Sequence, residues 1–170
     1  MTRPNWLLIF GALASLSGHA HAAASVNFAD EALRLHNQER AALGLPLLTW
    51  SDRLAKAAEN WAAKLSRGSV LRHDVQSDAS EQGENLWMGN RGYYSIDEMI
   101  GDWSAEKARF RRGKMPNISS QNDWEGVGHY SQMVWRNTRS VGCAIAQSPD
   151  WDVLVCRYDP PGNVWGQKPF

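Results

Sequence analysis

Two cysteines constrain the fold of this chain more than any other feature, because each lies in a short apolar segment near the C-terminus. Residues 140–147 read SVGCAIAQ and residues 152–159 read DVLVCRYD. Runs of this length, rich in β-branched and apolar residues, are typical of β-strands. The residues between them read SPDW and favour a turn, so the two segments are predicted to form an antiparallel hairpin.

A disulfide between Cys143 and Cys156 tests the register of that hairpin. If the two cysteines face each other, the same register pairs Ala146 with Val153 and centres the turn on the Pro-Asp dipeptide. Proline and aspartate are both turn-forming residues, so the hairpin and the disulfide predict each other. Because a Pro-Asp centre does not form a tight primed turn, we expect a looser loop or a bulge there.

The N-terminal residues have the pattern of a secretory signal peptide. Arg3 precedes an apolar run of 11 residues, WLLIFGALASL, and AHA at residues 20–22 fits a cleavage site. A membrane anchor is the alternative, but the run is shorter than the roughly 20 residues that a spanning helix needs. We therefore expect residues 1–22 to be removed and residues 23–170 to form one domain. The protein is then secreted and extracellular, or periplasmic in a bacterium, where a disulfide is the default state of two cysteines.

The charge balance argues against strongly anionic partners. The chain has 18 basic and 18 acidic residues, and loss of Arg3 with the signal peptide leaves an excess of one acidic residue. Nucleic-acid-binding domains usually carry a basic excess, and anionic membranes attract basic segments. We therefore expect neither partner. We also expect a monomer without an integral membrane segment after cleavage, because no heptad pattern and no second long apolar run occurs.

Two helices are predicted in the first half of the chain. The first covers residues 28–43, and one stripe of it carries apolar residues: Phe28, Ala32 and Leu35. The second lies within residues 51–68, where Ser51 can cap the N-terminus. Its apolar positions follow a 3.6-residue period: Leu54, Ala58, Trp61, Ala62 and Leu65.

A third helix is predicted after SIDE, where Ser95 and Glu98 can form a capping box. Its buried face carries Ile96, Met99, Ile100 and Trp103. Glu106 lies on or beside that face, so it either finds a partner or reaches solvent at the boundary. The segment GENLW, residues 83–87, is short and compatible with a strand. Helices followed by paired strands indicate an α+β fold in which helices cover an antiparallel sheet.

Titratable side chains that could form a site are few. Residues 23–170 contain three histidines, His36, His73 and His129. His73 opens a polar loop that leads to Glu84, and His129 lies at the start of an apolar segment. Two imidazoles and the carboxylates of Glu84 and Glu106 could converge, although spacing alone does not establish it.

Several segments resemble the CAP superfamily, which includes cysteine-rich secretory proteins, venom antigens and plant pathogenesis-related proteins. The matching segments, in family order, are HNQERAALGLPLLTWSDRLAKAAENWA, GENLW, GHYSQMVWRNTRSVGCAIAQ and CRYDPPGNVWGQKPF. The resemblance is greatest to the pathogenesis-related proteins and covers about residues 28–170. It implies a three-layer α-β-α sandwich with a small antiparallel sheet and a large central cleft. Plant members usually carry more than the two cysteines present here, so this chain lacks the other bridges that fix the loops in those members.

The resemblance also implies a tetrad of two histidines and two glutamates, which falls on His73, Glu84, Glu106 and His129. In several members the histidines bind a divalent ion such as zinc. Two neutral imidazoles with waters or a carboxylate suit zinc, and the glutamates would be direct ligands or would orient the imidazoles. Without a metal, the same groups can form a satisfied polar network that only fixes the walls of the cleft. Both interpretations remain open at this stage.

For function, the resemblance implies a secreted, non-catalytic protein that binds a sterol, a fatty acid or a partner in defence or host–microbe interaction. The alternative is a metal-dependent hydrolase, protease-like, with Glu84 or Glu106 as general base. No H-E-x-x-H motif supports that alternative. A further alternative is a peptide precursor, because the tail from Pro160 to Phe170 resembles a C-terminal signalling peptide that would be released by cleavage after Asp159. The simpler expectation is that this tail packs on the domain.

Overall fold

A computed structural model describes residues 27–76 and 81–170. The predicted signal peptide, residues 1–22, lies outside the described residues. The described part of the chain contains four helices and four strands, in chain order α1 Phe28–Ala42, β1 Thr49–Trp50, α2 Asp52–Leu65, β2 Gly83–Asn90, α3 Ile96–Ala105, α4 Gly128–Met133, β3 Ser140–Gln147 and β4 Trp151–Asp159. Two single-turn 3-10 helices, Glu106–Ala108 and Glu125–Val127, lie between α3 and α4.

The four strands form one sheet in the order β1-β3-β4-β2. β4 pairs antiparallel with both β3 and β2, whereas β1 is parallel to β3. The predicted α+β class with helices around a small sheet is confirmed. The sheet is mixed rather than purely antiparallel, because the long crossover through α2, β2 and α3 returns the chain to β3 in the direction of β1.

The hairpin register predicted from the cysteines is confirmed. Cys143 pairs with Cys156, Ala146 pairs with Val153, and a disulfide joins the two cysteines across a Cα–Cα distance of 4.1 Å. At the turn, the hydroxyl of Ser148 accepts the backbone N–H groups of the residues two and three positions later, at 3.3 and 2.9 Å. A side chain therefore helps to close the Pro-Asp turn.

β4 alternates between two apolar cores, as a strand buried on both faces must. Val153 and Val155 pack with the buried residues of α2 on one face of the sheet. Leu154 and Tyr158 pack with residues of α1, α3 and α4 on the other face. The molecule therefore has three layers, with α2 on one side of the sheet and the remaining helices on the other.

The helix signals of α2 and α3 are confirmed. Ser51 caps α2 by accepting the Leu54 N–H at 3.4 Å, and every position predicted to be buried on α2 is buried. On α3, Glu98 accepts the backbone N–H of Ser95 at 2.8 Å while the Ser95 hydroxyl accepts the N–H of Glu98. This is the predicted capping box.

The buried face of α1 differs from the predicted apolar stripe. Ala32 is buried, but Leu35 is only half-buried, and the other buried positions are His36 and Arg40. His36 Nδ1 donates to the Ala32 carbonyl at 2.7 Å, and its Nε2 accepts the hydroxyl of Tyr158 at 2.8 Å. Arg40 donates to four backbone carbonyls, one in the loop after α1, one at the last residue of α4 and two in the loop that follows α4. These polar residues are tolerated inside because their hydrogen bonds are satisfied.

The C-terminal tail packs on the domain. Met115 and Arg136 donate backbone N–H groups to the tail carbonyls of Gln167 and Pro169, at 2.9 and 2.7 Å. The Phe170 ring stacks on the ring of Phe110, in the loop after the 3-10 helix Glu106–Ala108, with centroids 5.7 Å apart. No helix within residues 27–76 and 81–170 is long and apolar enough to cross a membrane.

Candidate functional site

A cleft of about 710 Å³ opens at the end of the sheet where β2 begins. It is lined by residues 73–76 after α2, by residues 81–85 at the start of β2, by residues around α4, and by the tail residues 161–163. His73 and His129 both lie on its wall. Segments that are far apart in the sequence therefore share one hollow.

The first half of the site is the pair His73 and Glu84. His73 Nδ1 donates to Glu84 Oε1 at 2.6 Å, and the backbone N–H of Asp74 donates to the same oxygen at 3.1 Å. The Glu84 side chain is 5% exposed, whereas the His73 side chain is 68% exposed. The hydrogen bond that His73 donates to Glu84 raises the pKa of His73, against a smaller opposing effect of burial. A buried carboxylate thus holds an exposed imidazole in one orientation.

Arg157 supports this half of the site from within the sheet. Arg157 on β4 is paired with Glu84 on β2 in the antiparallel ladder. Its buried guanidinium lies 2.8 Å from Glu84 Oε2 and 2.8 Å from Asp74 Oδ2. The contact with Asp74 is aligned as a hydrogen bond, but the contact with Glu84 is an ion pair without that alignment. The guanidinium compensates the charge that Glu84 brings into the interior.

The second half of the site is the pair Glu106 and His129. His129 Nδ1 donates to Glu106 Oε1 at 2.6 Å, and the Tyr130 N–H donates to Glu106 Oε2 at 3.0 Å. Glu106 begins the 3-10 helix that follows α3, next to the apolar face on which it was predicted to lie, and its side chain is 12% exposed. Its partner is an imidazole rather than solvent.

The backbone around His129 is held by two asparagines. Asn85 Nδ2 donates to the His129 carbonyl at 3.1 Å, and Asn163 Nδ2 donates to the Gly128 carbonyl at 2.9 Å. The hydroxyl of Ser131, one turn further along α4, contacts Asn163 as well. Since β2 and the tail hold the start of α4 and Glu106 holds the ring, the position of the imidazole is fixed by three parts of the chain.

The four residues of the expected tetrad therefore form two imidazole–carboxylate pairs of the same geometry. In each pair Nδ1 is engaged by a glutamate, which leaves Nε2 as the nitrogen available to a ligand. Within the described ranges, no group of three or more His, Cys, Asp and Glu side chains is arranged to hold a metal ion. The potential donors are two imidazoles, with the glutamates behind them.

Sequence reasoning missed three residues of the site, namely Arg157, Asn85 and Asn163. Arg157 could have been predicted from the sequence, because it is a charged residue within an apolar segment that the hairpin register already assigned to a strand. The two asparagines had no signal, because their role depends on backbone carbonyls that only the folded chain brings near.

Comparison with known proteins agrees with this architecture. The sequence profile of CAP, described as the cysteine-rich secretory protein family, matches residues 33–158. The chain belongs to the CAP family. Pathogenesis-related protein 1C of Nicotiana tabacum is 35% identical over 152 residues, which cover 89% of this chain and 86% of that protein. Pathogenesis-related protein 1 of Arabidopsis thaliana is 34% identical over 140 residues, covering 81% and 80%.

Solved structures of low sequence identity share the CAP fold. The crystal structure of NaASP2 with Zn2+ has a TM-score of 0.70 and 23% identity, and the match covers 82% of this chain and 83% of that one. The crystal structure of MpPR-1i has a TM-score of 0.55 and 23% identity, with 78% and 86% covered. At this level of identity the likeness concerns the fold of the CAP chain alone.

Proposed function

We propose that the cleft of this CAP protein binds a divalent cation, with zinc as the best match, through Nε2 of His73 and of His129. The observation that carries the proposal is that both rings line one cleft and that each is held through Nδ1 at 2.6 Å by a glutamate. Metal-binding histidines usually donate their other ring N–H to a carboxylate in this way. Glu84 and Glu106 then orient the imidazoles and are not themselves ligands.

The donor set fits zinc in type but is incomplete in number. Neutral imidazole is a common zinc ligand, and zinc prefers four ligands in a tetrahedral arrangement. With two imidazoles from the protein, the remaining positions fall to water or to a bound ligand. A similar fold is known from the crystal structure of NaASP2 with Zn2+, which supports zinc as the first ion to test.

We propose binding rather than catalysis as the role of the site. Catalytic zinc sites usually have three protein ligands and a water, one ligand more than the two imidazoles here. Three of the four carboxylate oxygens of Glu84 and Glu106 accept hydrogen bonds, and the fourth lies 2.8 Å from Arg157. The hydroxyl of Ser131 is buried and donates to the Gly128 carbonyl rather than facing His129. These contacts favour a binding role over the metal-dependent hydrolase alternative.

Calorimetric titration of zinc into the folded protein tests the metal site. We expect one site, with His73→Asn and His129→Asn each weakening the affinity by about tenfold or more, the range seen when ligands or their supports are lost. Glu125→Gln is the matched control, because Glu125 lines the same cleft without contacting either imidazole. Zinc binding that survives loss of both histidines would refute the proposed ligands.

A sterol or fatty acid is the organic ligand that we propose in addition. The cleft itself offers few apolar groups, chiefly Val75, Trp124 and Pro161. A second groove of about 480 Å³ between α2 and β3 is more apolar, with Phe28, Ala55, Ala144 and Ile145 among its lining residues. Apolar side chains of this kind are the usual lining of a site for an apolar ligand, and the charged residues Asp52, Lys56 and Glu59 also border the groove.

The lipid proposal is tested by measuring the binding of a fluorescent sterol and of a fatty acid to the parent protein and to the Ala55→Arg variant. Ala55→Arg places a long charged side chain in the groove and should abolish saturable binding. The control is Glu125→Gln at the cleft, which should bind lipid normally. Unchanged binding by Ala55→Arg would exclude the groove, and absence of saturable binding at micromolar ligand would exclude the function.

We further propose that the protein acts outside the cytoplasm in defence or host–microbe interaction. The relatives include pathogenesis-related proteins of plants, and a disulfide persists best in an oxidising compartment. Mass spectrometry of the mature protein from the culture medium or periplasm tests the location. We expect a chain that begins after residue 22 and carries an oxidised Cys143–Cys156 pair.

A further inference from the structure

The zero net charge of the chain hides an uneven distribution of charge. Three segments contain no aspartate or glutamate, namely residues 107–122, 131–139 and 160–170, so all 18 acidic residues lie elsewhere. These segments carry the following basic residues: Lys107, Arg109, Arg111, Arg112, Lys114, Arg136, Arg139 and Lys168.

Backbone and ring contacts bring these three segments together around the end of the tail. The Arg112 guanidinium lies 4.9 Å from the centre of the Phe170 ring. The Arg136 N–H donates to the Pro169 carbonyl at 2.7 Å. The Met115 N–H donates to the Gln167 carbonyl at 2.9 Å, so the adjacent residues Lys114 and Lys168 lie near each other.

Some of the basic side chains in these segments are engaged internally. Lys107 pairs with Glu39 at 2.8 Å, and Arg109 and Arg139 donate to backbone carbonyls. The others are exposed and have no carboxylate within ion-pair distance in the part of the chain that the structure describes. We call this set the basic tail surface: Arg111, Arg112, Lys114, Arg136 and Lys168.

We propose that the basic tail surface binds an acidic polysaccharide, a linear polymer that carries carboxylate or sulfate groups. Five unpaired positive charges on one surface create a local attractive potential although the whole chain is neutral. Three of the five are arginines, whose planar guanidinium groups match carboxylate and sulfate oxygens in a two-pronged arrangement.

The surroundings of these charges favour a polysaccharide over a membrane or a nucleic acid. Met115 and Ile118 are buried and Phe170 is stacked on Phe110, so among the described residues the large exposed apolar side chains of the three acid-free segments are Val164 and the single indole of Trp165. Stable docking on a bilayer usually combines basic charge with insertion of a larger apolar face than one indole and one valine provide. Binding of single-stranded nucleic acid relies on several exposed aromatic rings on which successive bases stack, whereas Trp165 is the one exposed aromatic ring described in these segments. All five basic residues lie outside the helices and strands, so no regular element projects from this surface into a DNA groove.

Binding to immobilised heparin and polygalacturonate tests the proposal, with neutral dextran, phosphatidylserine vesicles and duplex DNA as comparison probes. We expect saturable binding to both polysaccharides, not to dextran, and weakening as sodium chloride is raised, because salt screens exposed charges. Absence of binding to both polysaccharides at low salt would overturn the proposal. Equal or tighter binding to vesicles or to DNA would overturn it as well.

Two charge-reversal variants locate the surface. Arg111→Glu with Arg136→Glu should weaken polysaccharide binding by about tenfold or more, because the two substitutions together make the charge of the basic tail surface more negative by four units. Arg67→Glu with Arg91→Glu changes the net charge equally at exposed arginines outside the basic tail surface, and should change binding by less than about twofold. Equal losses in the two variants would contradict the assigned surface.

The same variants separate this proposal from the proposed metal site. Arg111→Glu with Arg136→Glu should keep the thermal unfolding midpoint and the zinc affinity of the parent protein, because neither side chain contacts the cleft. Loss of polysaccharide binding with zinc binding retained supports the assigned surface. If the charge-reversal variant does not fold, the milder Lys114→Gln with Lys168→Gln variant replaces it, and this variant should also weaken polysaccharide binding. Unchanged binding by that folded variant would refute the proposal.

Discussion

The indole ring of Trp103 lies nearly parallel to the imidazole of His129, with the ring centroids 5.8 Å apart and the planes at 18°. Trp103 is also a fully packed core residue, and its Nε1 donates to the Leu86 carbonyl at 3.3 Å. One wall of the cleft is therefore built directly on the core of the domain. A change in the core at this point is expected to reach the site.

Replacing Trp103 by leucine should destabilise the protein and disturb the site together. Loss of a buried indole leaves a cavity, and large-to-small substitutions of this kind cost about 3 kcal/mol. Urea unfolding measures the stability, and zinc titration measures the site. Trp165→Leu is the control, because that indole is largely exposed and its loss should change the free energy of unfolding by less than about 1 kcal/mol.

Acid should destabilise the protein through His36. Burial lowers the pKa of His36 to about 4, whereas the histidine of an unfolded chain titrates near 6.5. The unfolded state therefore takes up the proton first, so stability falls as the pH drops below about 6.5, and the loss is complete near pH 4. The full effect of this one group is about 3 kcal/mol. Urea unfolding at several pH values measures it, and a His36→Gln variant should lack this component of the slope.

The pKa of His73 is shifted in the opposite direction to that of His36. The hydrogen bond that His73 donates to Glu84 raises the pKa of His73, so Glu84→Gln is expected to lower that pKa toward its ordinary value. The pair stabilises the folded state below the unfolded pKa of histidine, and this contribution disappears as the pH rises through the raised folded pKa. NMR titration of the ring measures the shift. A pKa that does not fall in Glu84→Gln would contradict the assigned cause.

The disulfide should stabilise the hairpin measurably. Cys143 and Cys156 are 13 residues apart, and closing a loop of that size stabilises the fold by about 3 kcal/mol in the chain-entropy view. The Cys143→Ala, Cys156→Ala double variant should lose stability by about that amount while keeping its fold. Thermal unfolding with and without reductant measures the effect, and the reductant should have no effect on the double variant.

The tail should resist release while the domain is folded. Asn163 and Gly162 contact α4, and backbone hydrogen bonds anchor residues 166–169. Limited proteolysis followed by mass spectrometry is expected to leave Pro160–Phe170 attached under native conditions. A chain that ends at Asp159 should unfold at lower temperature. Rapid appearance of the free tail peptide from folded protein would contradict this and favour a precursor role.

Much of the fold follows from local sequence signals, whereas α1 and the β1 pairing do not. The period of α2, the Ser95 capping box and the cysteine register each predicted their element because the information lies within a few residues. The buried side of α1 could not be predicted, since His36 and Arg40 are buried only because Tyr158 and distant carbonyls satisfy them. The two-residue strand β1 is recognisable only by its distant partner.

The site divides in the same way. Family resemblance named His73, Glu84, Glu106 and His129, and the structure brings them together as two pairs around one cleft. Arg157 and the two asparagines that hold α4 went unnoticed, because a salt bridge or a hydrogen bond to a distant carbonyl has no pattern within one segment.

The start of β2 has a consequence for how the site can fail. Glu84 and Asn85 are neighbours in one strand and so point to opposite faces of the sheet, one toward His73 and the other toward the backbone of His129. A slip of β2 by a single residue would send each side chain to the wrong side, so the His73 imidazole would lose Glu84 and the His129 backbone would lose Asn85 in the same event. The alignment of the sheet and the positions of both histidines are thereby coupled through two adjacent residues of one strand.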